Sequence, residues 1–426
     1  MQITKTYTMS NPLEEKIIQH IEDAHTLEML YRKNNSAFYN ALKNVLPSLE
    51  AYPLAKAWDE RLNYKQEEHF ILSKNDIIFA AITIFIAGCI AKMPSIFNWD
   101  LDHFMSRNIG FIFFEMILFF FAWKEKIDFK RLLISIAIFV ISVFYINLLP
   151  NNNNSQTIIL ACIHLPIFLW SIVGFTFTGN EFNNPAKRIG FLRYNGDLLV
   201  MSAVIALSGG LFTAITINLF LLIGVNIQEF FANYVVRWGL PAIPILSTIL
   251  VRQYPQLVGK VSPIIAKIFS PLVLIMLSVF LIAVITTGKD PYNDREYLLV
   301  FNAMLIGVMA IILFSLTEVS KGVGNRWHLM LLLALSILAI IDSGIAISAI
   351  AFRLSTYGIS PNRIAVLGSN LLILLNLIAV SYQLFKVLQY KQETSSVEKT
   401  IAIFLPIYSV WAAVVAFIFP LLFGMK

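Results

Sequence analysis

Residues 328–386 read HLMLLLALSILAIIDSGIAISAIAFRLSTYGISPNRIAVLGSNLLILLNLIAVSYQLFK. Two apolar stretches, 328–350 and 364–386, are parted by RLSTYGISPNRI at 353–364. A helix needs about 20 apolar residues to cross the hydrocarbon core, so this pattern predicts two antiparallel membrane spans joined by a tight turn. The turn carries its own punctuation. Gly358 suits a helix C-cap, where a left-handed conformation is needed. Ser360 suits an N-cap, and Pro361 the first helical position after it. Tyr357 belongs at headgroup level. Arg353 sits in a last helical turn, where the dipole favours a cation, but Arg363 sits in a first turn, where it does not. Two readings stay open for this pair. One is an outward-facing anion or phosphate-headgroup site on a helix N-terminus. The other is a punctuated loop with interface arginines, in which Arg363 can pair with an acid of another span.

The same pattern recurs along the chain. The 426 residues are 58% hydrophobic and 14% charged, with a mean hydropathy of +0.72. A soluble domain carries roughly 25% charged residues, so a large soluble core is excluded. Eleven spans are expected, at about 77–93, 104–123, 132–149, 157–177, 198–225, 232–251, 268–287, 298–318, 328–350, 364–386 and 400–423. The fifth is long enough to tilt or to break at Gly209-Gly210. In the sixth, Gly239, Pro241 and Pro244 weaken or bend the helix. Loop charges orient the set. With the N-terminus inside, fifteen basic residues fall in inner loops, among them KEKIDFKR at 124–131, Lys187, Arg188, Arg193 and Arg252. Only Lys92, Lys289, Arg295, Arg353 and Arg363 fall outside. That asymmetry predicts an N-in, C-out protein.

Residues 1–75 differ in composition. Leu27, Leu30 and Tyr31, then Phe38, Leu42 and Val45, then Leu54, Trp58 and Leu62 recur at helical spacing. Asn11-Pro12 with Glu14, and Asn35-Ser36, read as helix starts. The expectation is a small cytoplasmic helical bundle, 1–75, ahead of a transmembrane domain, 76–426. No signal-peptide pattern precedes the first apolar segment, which then acts as an uncleaved insertion signal. The fold class expected is all-α: a polytopic helical integral membrane protein with about 11 transmembrane helices.

Ionisable residues inside spans cost roughly 2.5–3.5 kcal/mol each on insertion scales and face the protein interior. At about 1.5 Å per residue, Arg107 falls near the outer end of its span and Glu115 near the middle. His164 falls about 10 Å, Arg237 about 8 Å and Asp342 about 12 Å below the outer surface. Arg107, His164, Arg237 and Asp342 thus share the outer half with Arg353 and Arg363. An Arg237–Asp342 pair is either a structural lock or a switchable element in a polar cavity for an anionic ligand. Glu115 is a candidate proton carrier, or else bonds to a neighbouring helix.

Soluble-enzyme signatures are missing. There is no P-loop, HExxH or G-x-S-x-G, and DPYNDRE at 290–296 lacks the spacing of a calcium loop. His20 and His25 diverge by about 140° on a helix and make a poor metal pair. Two cysteines, Cys89 and Cys162, support no disulfide framework or CxxC site. The net charge of +6 is spread over short loops, so a nucleic-acid partner is not expected. No metal or cofactor is expected, and an enzyme is not the leading reading.

A further set of stretches carries a resemblance. These are LEMLYRKNNSAFYNALKNV, AKAWDERLNY, GFLRYNGDLLVMSAVIALSGGLF, QLVGKVSPIIAKIFSPLVL and the YGIS-PNR step. Together they resemble a bacterial polytopic membrane family known as domain of unknown function 4153. The resemblance implies a bacterial inner-membrane location and one continuous module, and brings no activity. It draws attention to RIGFLRYNGD at 188–197. There Arg193, Tyr194, Asn195 and Asp197 either bind a cytoplasmic partner, or form a turn and N-cap for the fifth span.

The leading functional expectation is transport or translocation of an anionic solute or lipid through an outer-half polar cavity, with membrane lipids as partners. A scaffold recruiting a cytoplasmic protein through residues 1–75 is the main rival. A membrane-embedded transferase acting on a phosphate-bearing lipid is the third.

Overall fold

The computed structural model describes residues 12–49, 51–63, 73–125, 127–152, 154–254, 261–287, 292, 302, 304–313, 315, 326–390 and 394–425. Among them there is no strand. The chain divides into two compact units, Met1–Ile71 and Leu72–Lys426.

The first unit holds α1 (Pro12–Gln19), α2 (Ala24–Lys33), α3 (Asn35–Val45), a short 3-10 turn and α4 (Pro53–Asn63). Asp23 caps α2 by accepting from the backbone of His25 and Thr26. Asn34, one residue before the expected start, caps α3 by accepting from Ala37. All nine residues of the helical pattern join one apolar cluster around Phe38 and Trp58, and Tyr31 packs edge-on to Phe38. Asn11 and residues 64–72 lie outside the described residues.

The second unit is a multi-pass membrane assembly. Its helices are α5 (Lys74–Phe97), α6 (Leu101–Lys124), α7 (Phe129–Leu148), α8 (Gln156–Phe177), α9 (Pro185–Leu222) and α10 (Gln228–Gln253). There follow α11 (Val261–Thr287), α12 (Met304–Leu313), α13 (Arg326–Tyr357), α14 (Pro361–Tyr390) and α15 (Ser395–Leu422). Nine of these, α5–α10 and α13–α15, are long and apolar enough to cross a membrane, counted among the described residues. In α11 and α12 the apolar stretches counted are shorter, Ile268–Ile282 and Met304–Leu313. Part of the expected span at 298–318 lies outside the described residues, as does the 290–296 loop apart from Tyr292. So do Lys126, Lys260, Lys289, Arg295, Lys321 and Lys391 of the loop-charge pattern.

Packing centres on two large apolar clusters, with two smaller ones beside them. One joins α5–α8 and α10 around Phe111, Phe121 and Leu169. The other joins α11–α15 around Leu277, Leu332, Leu377 and Ile401. The first turns of α9 bridge them: Phe191 and Tyr194 enter the first cluster, and Ile189 the second. In lipid the association of spans rests on van der Waals fit, so small residues let neighbours close in. Three glycines do this here. A Cβ on Gly88 would lie 2.2 Å from the Trp238 ring, one on Gly174 2.7 Å from Phe191, and one on Gly368 2.0 Å from Trp411. The Trp411 indole also donates to Ser369 Oγ at 3.0 Å, fixing α15 on α14.

One alternative for helix shape is overturned, the break in the fifth span, and one helix departs from α-helical geometry away from its prolines. α9 runs unbroken through Gly209-Gly210 for 38 residues, because an isolated glycine pair lowers helix propensity without removing a hydrogen bond. In α10 the departure from α-helical geometry lies N-terminal to its prolines. Residues Phe231–Val236 form a wide π turn directly before Arg237, and Pro241 and Pro244 follow inside an otherwise regular helix. A second π turn, Val414–Ile418, precedes Pro420 in α15.

Candidate functional site

The turn between α13 and α14 is built as its residues dictate. Gly358 takes φ +76°, α14 starts at Pro361, and the Arg363 amide donates to Ser360 Oγ at 3.4 Å. Arg363 resolves its conflict with its own helix by reaching back. Its Nη1 donates to the carbonyls of Tyr357 and Gly358, at 2.9 and 2.6 Å. The cation therefore sits at the negative end of α13, where the dipole favours it. Arg353 and Arg363 both lie over the Tyr357 ring, with centroid distances of 5.9 and 5.6 Å, and Arg353 Nη1 is buried without a partner.

Arg107 follows the same logic more completely. It is 5% exposed, and Nη1 donates to Ile146 and Leu149 carbonyls while Nη2 donates to Pro150, at 2.7–2.8 Å. It thereby satisfies the carbonyl end of α7, which would otherwise be orphaned. A pocket of about 350 Å³ beside it is lined by Asp102, His103, Ser106, Asn152 and Cys162. His164 Nδ1 donates to the Leu160 carbonyl, one turn back on α8, at 2.9 Å. Arg107, His164 and Arg363 are thus engaged separately: Arg107 with α7, His164 with its own helix, and Arg363 with α13.

Arg237 and Asp342 do not pair. Both carry buried side-chain atoms without a hydrogen-bond partner, Nη1 of Arg237 and both carboxylate oxygens of Asp342. Their helices belong to different clusters, α10 to the first and α13 to the second. Asp342 stands near the middle of α13, which continues through Arg353 to Tyr357. Glu115 is half-buried in the middle of α6.

RIGFLRYNGD forms no turn. It lies in the opening turns of α9, which starts at Pro185 with Asn184 as its cap, so Asn195-Gly196-Asp197 is helix interior. The side chains are used for packing between spans. Arg193 Nη2 pairs with Glu398 of α15 at 2.6 Å, with both side chains mostly buried. Tyr194 is buried and hydrogen-bonds Thr248 of α10 at 2.7 Å. Asn195 accepts from the Trp170 indole of α8 at 2.8 Å. Asp197 is half-buried on the same helix.

A pocket absent from the sequence reading lies at the basic-loop end of α7, α8, α9 and α15. Its volume is about 310 Å³, and its walls include Ile134, Phe175, Phe182, Leu405 and Val410. Ligand pockets range from about 300 to 1,000 Å³. Ile134 and Val410 are both more than half exposed, so the mouth opens sideways to the surroundings of the spans. Polar atoms are few: Ser171 and Ser409 share a 2.6 Å hydrogen bond on one wall. Two arginines stack on its aromatic walls, Arg188 over Phe182 at 4.6 Å and Arg131 over Phe175 at 5.1 Å. Arg188 is tied in place by donating to the Phe182 and Ala402 carbonyls. No local pattern marks this pocket, because its lining comes from four helices. Lys130-Arg131 and Lys187-Arg188 were legible only as orienting charges.

Among the described residues no group of three or more His, Cys, Asp or Glu side chains is placed to hold a metal. Scans against protein-family models, curated proteins and solved structures return no match to this chain.

Proposed function

We propose that this multi-pass protein binds an anionic membrane lipid in the pocket among α7, α8, α9 and α15 and moves it between leaflets. The setting is the bacterial inner membrane, with about eleven spans and the N-terminus cytoplasmic, as the loop charges and the family resemblance imply. The observation that carries the reading is the pairing of an apolar, laterally open slot with Arg131 and Arg188 at its aromatic walls. Acyl chains suit the slot through burial of apolar surface. A phosphate headgroup suits two guanidinium groups at the membrane surface. The proposed ligand contacts are therefore not Arg107 and Arg363, which are engaged with helix ends, but Arg131 and Arg188 beside the slot.

The test is native mass spectrometry of the full chain, followed by leaflet-exchange assays in vesicles of phosphatidylglycerol and phosphatidylethanolamine. Phosphatidylglycerol should co-purify and exchange faster in protein-containing vesicles. Ser409→Phe, which fills the slot, should reduce both. Equal retention of both lipids by the parent protein and by Ser409→Phe would remove this site.

A further inference from the structure

α13 carries one carboxylate, Asp342, near its middle. Asp342 is 0% exposed, and both oxygens are buried without a hydrogen-bond partner. It lies 16 residues from Arg326 (342 − 326) and 15 from Tyr357 (357 − 342). At about 1.5 Å per residue, that is over 20 Å from either end of the helix.

Among the described residues of the helices packed on α13, no countercharge stands beside Asp342. α11 and α14 pack on α13, and Leu305 of α12 packs against Ala346. Residues 268–282, 304–313 and 364–385 of those helices contain no Asp, Glu, Lys, Arg or His, and Tyr382 is their one titratable side chain. On α13 itself the charged or titratable residues are Arg326, His328, Arg353 and Tyr357, near its two ends. The polar groups nearby in the α13–α14 seam are neutral. Ser343 donates to the Asn370 carbonyl at 3.4 Å, Asn370 to Asn302 at 2.6 Å, and Ser381 to Ser336 at 2.8 Å.

An ionised carboxylate in apolar surroundings is strongly disfavoured unless it is paired or hydrogen-bonded. With neither present, the neutral acid is the form this packing accommodates. Burying a polar group deep in a span is costly in any form, and such residues mark ion and proton paths. The seam also offers a line of parting. On α13 it is lined by the small buried residues Ser336 and Ser343, which bond across it to α14.

We propose that Asp342 is an exchangeable proton site that couples movement of α13 against α14 to proton uptake and release. In the closed packing the carboxyl O–H is intact. When the seam parts and water enters, the O–H bond breaks, the proton passes to water and the electron pair stays on the carboxylate. Reclosure requires the reverse step. The site is remote in sequence and helix set from the lipid pocket, and it does not depend on that reading.

Infrared difference spectroscopy of the full chain in vesicles tests this across a pH titration. A carboxylic-acid C=O band should fall as pH rises. It should be lost in Asp342→Asn, kept at a shifted frequency in Asp342→Glu, and unchanged in Glu115→Gln. A band that stays constant over the titration, persists in Asp342→Asn or disappears in Glu115→Gln would overturn the proposal. So would a band set by sodium at fixed pH, which would make the site a sodium site. Size-exclusion profiles and thermal midpoints report folding. If Asp342→Asn does not fold, Asp342→Glu and Glu115→Gln against the parent protein still decide the assignment.

Discussion

Arg107 on α6 and Asp342 on α13 are both buried charged-type residues of the membrane unit, yet their surroundings are opposite. Arg107 donates three hydrogen bonds to the carbonyl end of α7. Asp342 receives none. The difference separates two uses of a costly residue. A guanidinium that completes a neighbouring helix end offsets its own burial, and its role is to hold the fold. A carboxyl without a donor adds nothing to the packing around it, and its retention in a span calls for a ligand as small as a proton.

The sharpest way to break this comparison is Arg107→Ala. It leaves the Ile146, Leu149 and Pro150 carbonyls without their donor. Three hydrogen bonds to a charged group at roughly 1.5 kcal/mol each predict a loss of about 4–5 kcal/mol. The thermal midpoint in detergent should fall steeply. Asp342→Asn should leave that midpoint unchanged or raise it, and a comparable fall in both variants would end the distinction.

A smaller effect is expected where packing alone is changed. Gly368→Ala places a methyl 2.0 Å from the Trp411 ring, so α14 and α15 must separate or Trp411 must turn. Overpacking of this kind costs about 1–3 kcal/mol. Trp411 fluorescence, read against a Trp411→Phe background, should shift as the ring moves. Arg193→Ala removes the partner of Glu398 and should cost about 1.5 kcal/mol, the value of one hydrogen bond to a charge. Glu398→Gln should recover part of that loss, measured by the same thermal midpoint.

The smallest effect lies in the first unit, where charges are solvated. Hydrogen bonds from Arg32 and then Arg61 hold Glu28 below the ordinary glutamate range, and Thr26 does the same for Asp23. A carboxylate lowered on folding stabilises above its unfolded pKa, and that contribution is lost as pH falls through its folded pKa. Amide protection over residues 12–63, taken relative to the intrinsic exchange rate at each pH, should therefore weaken only below about pH 4.5, where free glutamate titrates. Glu28→Gln should flatten the response. Protection lost already near neutral pH would point to another group.

Much of the fold was legible because its causes are local. Lipid offers no hydrogen bonds, so each span must be a continuous apolar helix, and the hydropathy pattern placed nine helices where they occur. Gly358, Ser360 and Pro361 likewise ended one helix and began the next through backbone preferences of single residues. Their neighbourhood was not legible. Arg363 looked misplaced at a helix start because its partners, the Tyr357 and Gly358 carbonyls, belong to the helix before it. Arg237 and Asp342 looked like a pair because depth was all that could be compared. Asn195-Gly196-Asp197 looked like a turn because nothing local revealed that Trp170 and Phe191 hold it within a helix.

The sequence by itself determined a helical, multi-pass membrane chain with a polar N-terminal segment, since apolar length and loop charge are additive along a chain. Tertiary structure decided what each buried polar group is for. That depends on which helices are neighbours, and in a membrane neighbours are chosen by close fit: Gly88 under Trp238, Gly174 under Phe191 and Gly368 under Trp411. The same fit surrounds Arg107 with carbonyls and leaves Asp342 with none, because a hydrogen bond is decided within about 3 Å and hydropathy over about 20 residues.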